Sequence, residues 1–271
     1  LRMDKITSRD IQKFINSLAA DGVNERTGGG LSHKTIKHYL SYISTIFDFA
    51  IKMQMLQNNP CRNVTVPKGE PKEREVYTIE EVERLSELLQ DAPMKYRVFF
   101  NLAIYRGFRR SELLGLEWKD IDFEKGCISV TKQLTRHHSK YDSVHPSVLD
   151  IAPPKTEASV RKVYMIDALK LELLAYKENV VAWKEEHGFQ HSEEDFLFTS
   201  HKNTAIEPRR FYQYYKELLD VAGIEDATFH SLRHTFATRW LEAGIDIVTV
   251  SKLLGHADSR ITANTYSHLL P

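Results

Sequence analysis

At 271 residues the chain is long enough for two compact domains, and it holds no run of about 18 apolar residues of the kind that spans a membrane. Its 37 Lys/Arg balance 37 Asp/Glu, which weighs against a generic polyanion binder, yet ten basic against six acidic residues over positions 1–70 leave the first segment locally basic. Cys61 and Cys127 stand alone without CxxC spacing, so neither a disulfide framework nor a zinc site is indicated, in keeping with a reducing cytoplasm.

In chain order, Thr7 before Ser8-Arg9-Asp10 signals an N-cap for a helix to about Ala20, with Ile11, Phe14, Ile15 and Leu18 on one face. Gly22 and the Gly28-Gly29-Gly30 run break it. Ser32 or its neighbour caps a long second helix, in which Ile36, Leu40, Ile43, Phe47 and Ala50 recur at helical spacing. Lys34, Lys37 and His38 fall on another face of its first two turns, and Asn58-Asn59-Pro60 is the expected stop. Residues 67–77 are polar, charged and Pro-containing, and predict a linker between domains at 1–66 and 78–271.

Thr78-Ile79-Glu80-Glu81 is a capping box that opens the second domain. Helices are expected at about 79–90, 95–106 and 110–116, then strands at 127–131 and 160–165. The polar stretch 136–150 between the strands reads as an exposed loop or an extended hairpin. Helices resume near 167–187, 207–221, 230–243 and 246–254, giving a mainly α fold with a small antiparallel β-sheet. Tyr212, Tyr214 and Tyr215 look like one turn of an amphipathic helix.

Chemistry-bearing residues recur in a definite order. Gly107-Phe108-Arg109-Arg110-Ser111-Glu112-Leu113 comes first, followed by Pro154-Lys155-Thr156. His230-Ser231-Leu232-Arg233-His234-Thr235, Leu253-Leu254-Gly255-His256 and Tyr266 complete the set. Arg suits a phosphodiester, because its planar fork donates paired hydrogen bonds and stays charged. His230 and Arg233, three apart, share a helix face and can address one phosphate. Gly255 is placed to end a helix in a left-handed cap and so aim His256. His234 points off the Arg233 face and reads as structural. Tyr266 is a phenol whose pKa near 10 leaves only about one molecule in a thousand ionised at neutral pH, so as a nucleophile it needs a base or a positive field.

The series Arg, Lys, His-x-x-Arg, His, Tyr resembles the tyrosine recombinases, the phage-integrase family, over the whole chain, and most of all integrases of phages or conjugative transposons. The resemblance implies a two-domain clamp: a helical core-binding domain at 1–66, incomplete at its N-terminus, and an α/β catalytic domain at 78–271 lacking a C-terminal tail. It implies integration or excision of a mobile element through a 3′-phosphotyrosine link. Tyr266 is then the nucleophile, Arg109, Arg233, His230 and His256 hold the phosphate, Lys155 protonates the departing 5′ oxygen, and Glu112 orients the arginines. Lys162 and Lys140 are the alternatives should the register of the Lys155 hairpin be misread. Lys34, Lys37, His38 and Arg110 are candidate DNA contacts. The implied partners are double-stranded DNA, three further copies of the chain in a tetramer, and an excision or accessory DNA-bending protein, in a bacterial cytoplasm at the nucleoid. No cofactor or metal is expected. A type IB topoisomerase and a DNA-binding module that has lost catalysis are the rival readings.

Overall fold

The computed structural model describes residues 2–68, 76–138, 147–154, 156–225 and 227–266. The chain divides into two compact units, Leu1–Glu73 and Arg74–Pro271.

In the first unit, helices α1 (Ser8–Ser17) and α2 (His33–Lys52) pack through Ile11, Ile15, Ile36 and Phe47, with Cys61 closing the core. Thr7 caps α1 reciprocally: its hydroxyl accepts from the Asp10 amide at 3.3 Å, and its own amide donates to the Asp10 carboxylate at 3.0 Å. The helix ends at Ser17 rather than near Ala20. Ser32 caps α2, accepting from the Thr35 amide at 3.2 Å. This helix also stops early, at Lys52, where Gln54 turns left-handed at φ 58°. Asn59 is therefore not the stop. It folds back on α2, donating to the Ser44 carbonyl at 3.0 Å and the Asp48 carboxylate at 2.8 Å. Lys34, Lys37 and His38 are exposed, while Ile36 beside them is buried.

The second unit begins with α3 (Ile79–Gln90), whose Thr78–Glu81 capping box forms as expected. Helices α4 (Met94–Arg106) and α5 (Arg110–Leu114) follow. Strands β1 (Ile121–Asp122), β2 (Cys127–Val130) and β5 (Arg161–Tyr164) form an antiparallel sheet in the order β1-β2-β5. Between them β3 (Gln133–His138) and β4 (Ser147–Ala152) pair in a second, two-stranded antiparallel sheet. Of the stretch 136–150 expected as loop or hairpin, residues 136–138 and 147–150 belong to these paired strands, and 139–146 lie outside the described residues.

Helices α6 (Asp167–Glu186), α7 (Pro208–Ala222), α8 (Phe229–Glu242), α9 (Ile247–Leu254) and α10 (Ser259–Tyr266) complete the unit. Sequence periodicity does not reveal α10. A core of Phe99, Phe100, Phe198, Phe211, Tyr215 and Phe229 ties α4, α7 and the start of α8 together. A separate cluster of Phe236, Ala237, Val250, Leu254 and Tyr266 fastens α8, α9 and α10. Helix α4 ends at Gly107 in the left-handed region, φ 63°. A Cβ there would also sit 2.6 Å from the Phe236 ring, so the turn into the Arg109 segment requires glycine twice over.

Candidate active site

Arg109 lies at the N-cap of α5, where its backbone amide donates to the Glu112 carboxylate at 2.8 Å and its guanidinium at 2.6 Å. Glu112 is 3% exposed. Its other partner is Arg161, whose fork meets both carboxylate oxygens at 3.0 and 2.9 Å. Burial opposes ionisation of Glu112, but the Arg161 hydrogen bonds and the charges of Arg161, Arg109 and Arg233 prevail and hold its carboxyl at about 2.

Sequence alone does not single out Arg161, although it follows closely on Pro154-Lys155-Thr156. On β5 it shares the inward face with Val163, whereas Lys162 points the other way and is exposed. Its Nε donates to the Leu253 carbonyl at 2.7 Å and Nη1 to the Ser159 carbonyl at 3.2 Å. One buried guanidinium therefore joins β5, α5 and the end of α9.

That end positions His256. Gly255 caps α9 at φ 66°, and a Cβ there would meet Arg161 Nη1 at 3.1 Å and Ser159 Cα at 3.2 Å. His256 follows, with Nδ1 2.8 Å from the Thr262 hydroxyl on α10. Burial, then the charges of Arg233, Arg109, His230 and Arg161, push its imidazole down to about 4, so it is neutral at pH 7.

Arg233 on α8 is 2% exposed; it donates to the Gly107 carbonyl at 2.7 Å and to the Leu254 carbonyl. Burial and the neighbouring Arg109 lower its pKa to about 9, which leaves it cationic at pH 7. His230, one turn earlier on α8, lines a cavity of about 490 Å³ together with Arg109, Glu112, His256, Pro154 and Thr156. Lys155 lies outside the described residues, as does Lys140; the cavity wall includes the residues on either side of Lys155.

His234, expected from the sequence as a structural residue, lies against Tyr266. Its Nδ1 lies 2.7 Å from the Tyr266 hydroxyl, and its ring meets that of His230 edge-on, centroids 4.5 Å apart. The i, i+4 spacing from His230 was the available signal: it puts both imidazoles on one face of α8. Tyr266 itself is 3% exposed, packed in the α8–α9–α10 cluster.

Arg110 faces elsewhere. It lies over the Tyr212 ring at 5.9 Å, in a separate groove with Arg136, Glu207 and Arg209. Of the three tyrosines on α7, Tyr215 is buried and donates to the Thr228 carbonyl at 2.8 Å, and Tyr214 stacks on Tyr96. Among the described residues no group of three His, Cys, Asp or Glu is placed to hold a metal ion, and no helix is long and apolar enough to cross a membrane.

Arg109, Glu112, His230 and His256 thus line one cavity on a mainly helical scaffold, with the buried Arg161 and Arg233 guanidiniums behind that wall, bonded to Glu112 and to the Gly107 and Leu254 carbonyls, an arrangement that can hold a singly charged ester and stabilise further negative charge on it. Residues 75–271 match the phage integrase family and residues 1–66 the phage integrase SAM-like domain. The chain is 33% identical to a tyrosine recombinase XerC-like protein of Caldanaerobacter subterraneus, covering 100% of this chain and 69% of that one. It is 28% identical to the ICEBs1 integrase of Bacillus subtilis, covering 99% and 70%. The transposase of transposon Tn916 from Enterococcus faecalis is also 28% identical, covering 99% and 66%. Among solved structures, the Tn1549 transposon integrase in complex with a circular intermediate DNA superposes with a TM-score of 0.79 at 23% identity, covering 97% of this chain and 82% of that one. A lambda integrase dimer bound to a core site gives 0.64 at 20% identity, covering 98% and 81%. The class is that of the DNA strand transferases. Within it, this chain belongs to the phage integrase family and is a site-specific recombinase of the tyrosine type.

Proposed function

We propose that Tyr266 attacks a scissile phosphate of double-stranded DNA, forming a 3′-phosphotyrosine and freeing a 5′ hydroxyl. The 5′ hydroxyl of a partner strand then attacks that link, and two such exchanges in sequence move a mobile element into or out of its site. Arg109 and Arg233 hold the nonbridging oxygens, with His230 and His256 beside them, and Lys155 protonates the departing 5′ oxygen. Glu112 fixes Arg109. The observation that carries this reading is the convergence of Arg109, His230 and His256 on one cavity, with Tyr266 tied through His234 to the helix that bears His230 and Arg233.

The resemblance to conjugative-element integrases favours integration and excision over other uses of the same chemistry. The DNA-bound state of the Tn1549 and lambda integrases supports DNA as the partner of this chain, with residues 1–66 as the core-binding domain, 78–271 as the catalytic one and 67–77 linking them. A tetramer on DNA, an accessory DNA-bending protein and a cytoplasmic location belong to the same reading.

A nicked suicide substrate tests it. The wild-type chain is expected to be trapped as a covalent adduct in excess EDTA and without ATP, and Tyr266→Phe to bind DNA and form none. An adduct with the Phe variant would reject Tyr266. Lys155→Ala is expected to cleave slowly on a normal 5′ oxygen and to recover on a 5′-bridging phosphorothiolate, whose thiolate leaves without a proton. Recovery with Lys162→Ala instead would move the acid to Lys162.

A further inference from the structure

A phenol that attacks phosphorus must lose its proton to some group within hydrogen-bond reach. His256 is poorly suited: its imidazole is pushed down to about 4, and its Nδ1 is engaged with the Thr262 hydroxyl. His230 opens onto the cavity. His234 has its Nδ1 2.7 Å from the Tyr266 hydroxyl.

We propose that His234 is the proton acceptor for Tyr266. The proposal rests on Tyr266 being the nucleophile. As the bond from the Tyr266 oxygen to phosphorus forms, the phenol proton passes to Nδ1 of His234, and the ring becomes imidazolium. The bond from phosphorus to the 5′ oxygen breaks, and that oxygen takes its proton from the separate acid. In strand exchange the incoming 5′ hydroxyl returns a proton to that acid as it attacks. The tyrosyl oxygen leaves and recovers its own proton from His234. No proton is gained or lost over the two steps.

The placement of His234 fits this role in three ways. It sits one helical turn beyond His230, and the edge-on contact of the two rings, at 85°, fixes its plane. It is half-buried, so the acceptor is not exchanged freely with water. Arg233, the preceding residue, is a buried cation close enough for the Tyr266 charge to act on it, and so favours the negative charge that builds on the phenol oxygen as its proton leaves.

The opposing possibility is a latch: the same hydrogen bond could hold the phenol away from DNA. His234→Gln separates the two, because its amide oxygen can still accept from the phenol but cannot take the proton. In single-turnover cleavage of the nicked substrate, His234→Gln is expected to slow adduct formation about 10²–10⁴-fold with DNA affinity retained. Placing 3,5-difluorotyrosine at position 266, which lowers the phenol pKa, is expected to restore much of that loss in the Gln variant. A His234→Gln rate equal to or above wild type would overturn the proposal in favour of a latch or a structural role. A slowed rate that difluorotyrosine leaves unchanged would overturn it as well.

A measurement on the unaltered chain covers the case in which the variant does not fold. With the 5′-bridging phosphorothiolate, the leaving group needs no proton, so a solvent deuterium isotope effect on cleavage reports the phenol proton. Its presence is expected; its absence overturns the proposal. Failure of the underlying reading has a different signature, an adduct formed by Tyr266→Phe.

Discussion

Glu112 shows how one carboxylate sets a cluster of cations. Removing it would leave Arg161 and Arg109 without their shared counter-charge in a nearly dry site, where breaking a buried pair costs about 3–5 kcal/mol. Its folded pKa of about 2 lies below its ordinary 4.5, so its contribution to stability is present above pH 4.5 and is lost as pH falls through 2. The shift corresponds to something on the order of 3 kcal/mol. His256 acts in a different window. Its folded pKa of about 4 lies below 6.5, so the unfolded chain takes up the proton first and stability declines as pH falls from 6.5 towards 4. Urea denaturation across pH is therefore expected to show two declines. His256→Gln should flatten the upper one, and Glu112→Gln should flatten the lower one while reducing stability at pH 7. A Glu112→Gln protein with wild-type stability at pH 7 would refute the ion-pair account.

At the scale of elements, the end of α9 is where local backbone and site geometry meet. Gly255 and Gly223 both cap helices at φ 66°, but only Gly255 has neighbours where a Cβ would go. Gly223→Ala thus measures the left-handed penalty alone, roughly 1–2 kcal/mol. Gly255→Ala is expected to lower the melting temperature further and to slow cleavage, because Arg161 and Ser159 must shift and His256 with them; Gly223→Ala should leave cleavage unchanged. Equal cleavage by the two variants would detach this cap from the site. The cap itself was legible in sequence, as were the Thr7, Ser32 and Thr78 caps and most helix spans, because each rests on a local signal. The early end of α2 was not: a left-handed Gln54 ends the helix before Asn58-Asn59-Pro60 is reached. Helix α10 escaped because its eight residues are held by contacts to α8 and α9 rather than by an apolar period of their own. Arg161 and His234 escaped for a related reason. Their partners Glu112 and Tyr266 lie 49 and 32 residues away, a proximity that only the folded chain creates.

For the whole molecule, the neutral sum of charge conceals a division of labour. The basic excess belongs to residues 1–70, and the second unit carries the cavity lined by Arg109, His230 and His256 despite a local acidic surplus. Residues 74–271 alone are then expected to retain cleavage at high concentration and to lose most DNA affinity. Within the first unit, Lys34, Lys37 and His38 project from the start of α2 away from buried Ile36. None of them is needed for the core of Ile11, Ile15, Ile36 and Phe47, so substituting the two lysines should leave the helix intact. If both lysines bind phosphates, Lys34→Ala with Lys37→Ala should weaken binding across DNA sequences and flatten the slope of log affinity against log salt by about two units, close to one for each phosphate no longer neutralised. The effect should be electrostatic in origin and shrink as salt rises. An unchanged affinity and salt slope, with helicity preserved by circular dichroism, would remove this face of α2 from the DNA interface and leave the basic excess of the first unit to act elsewhere.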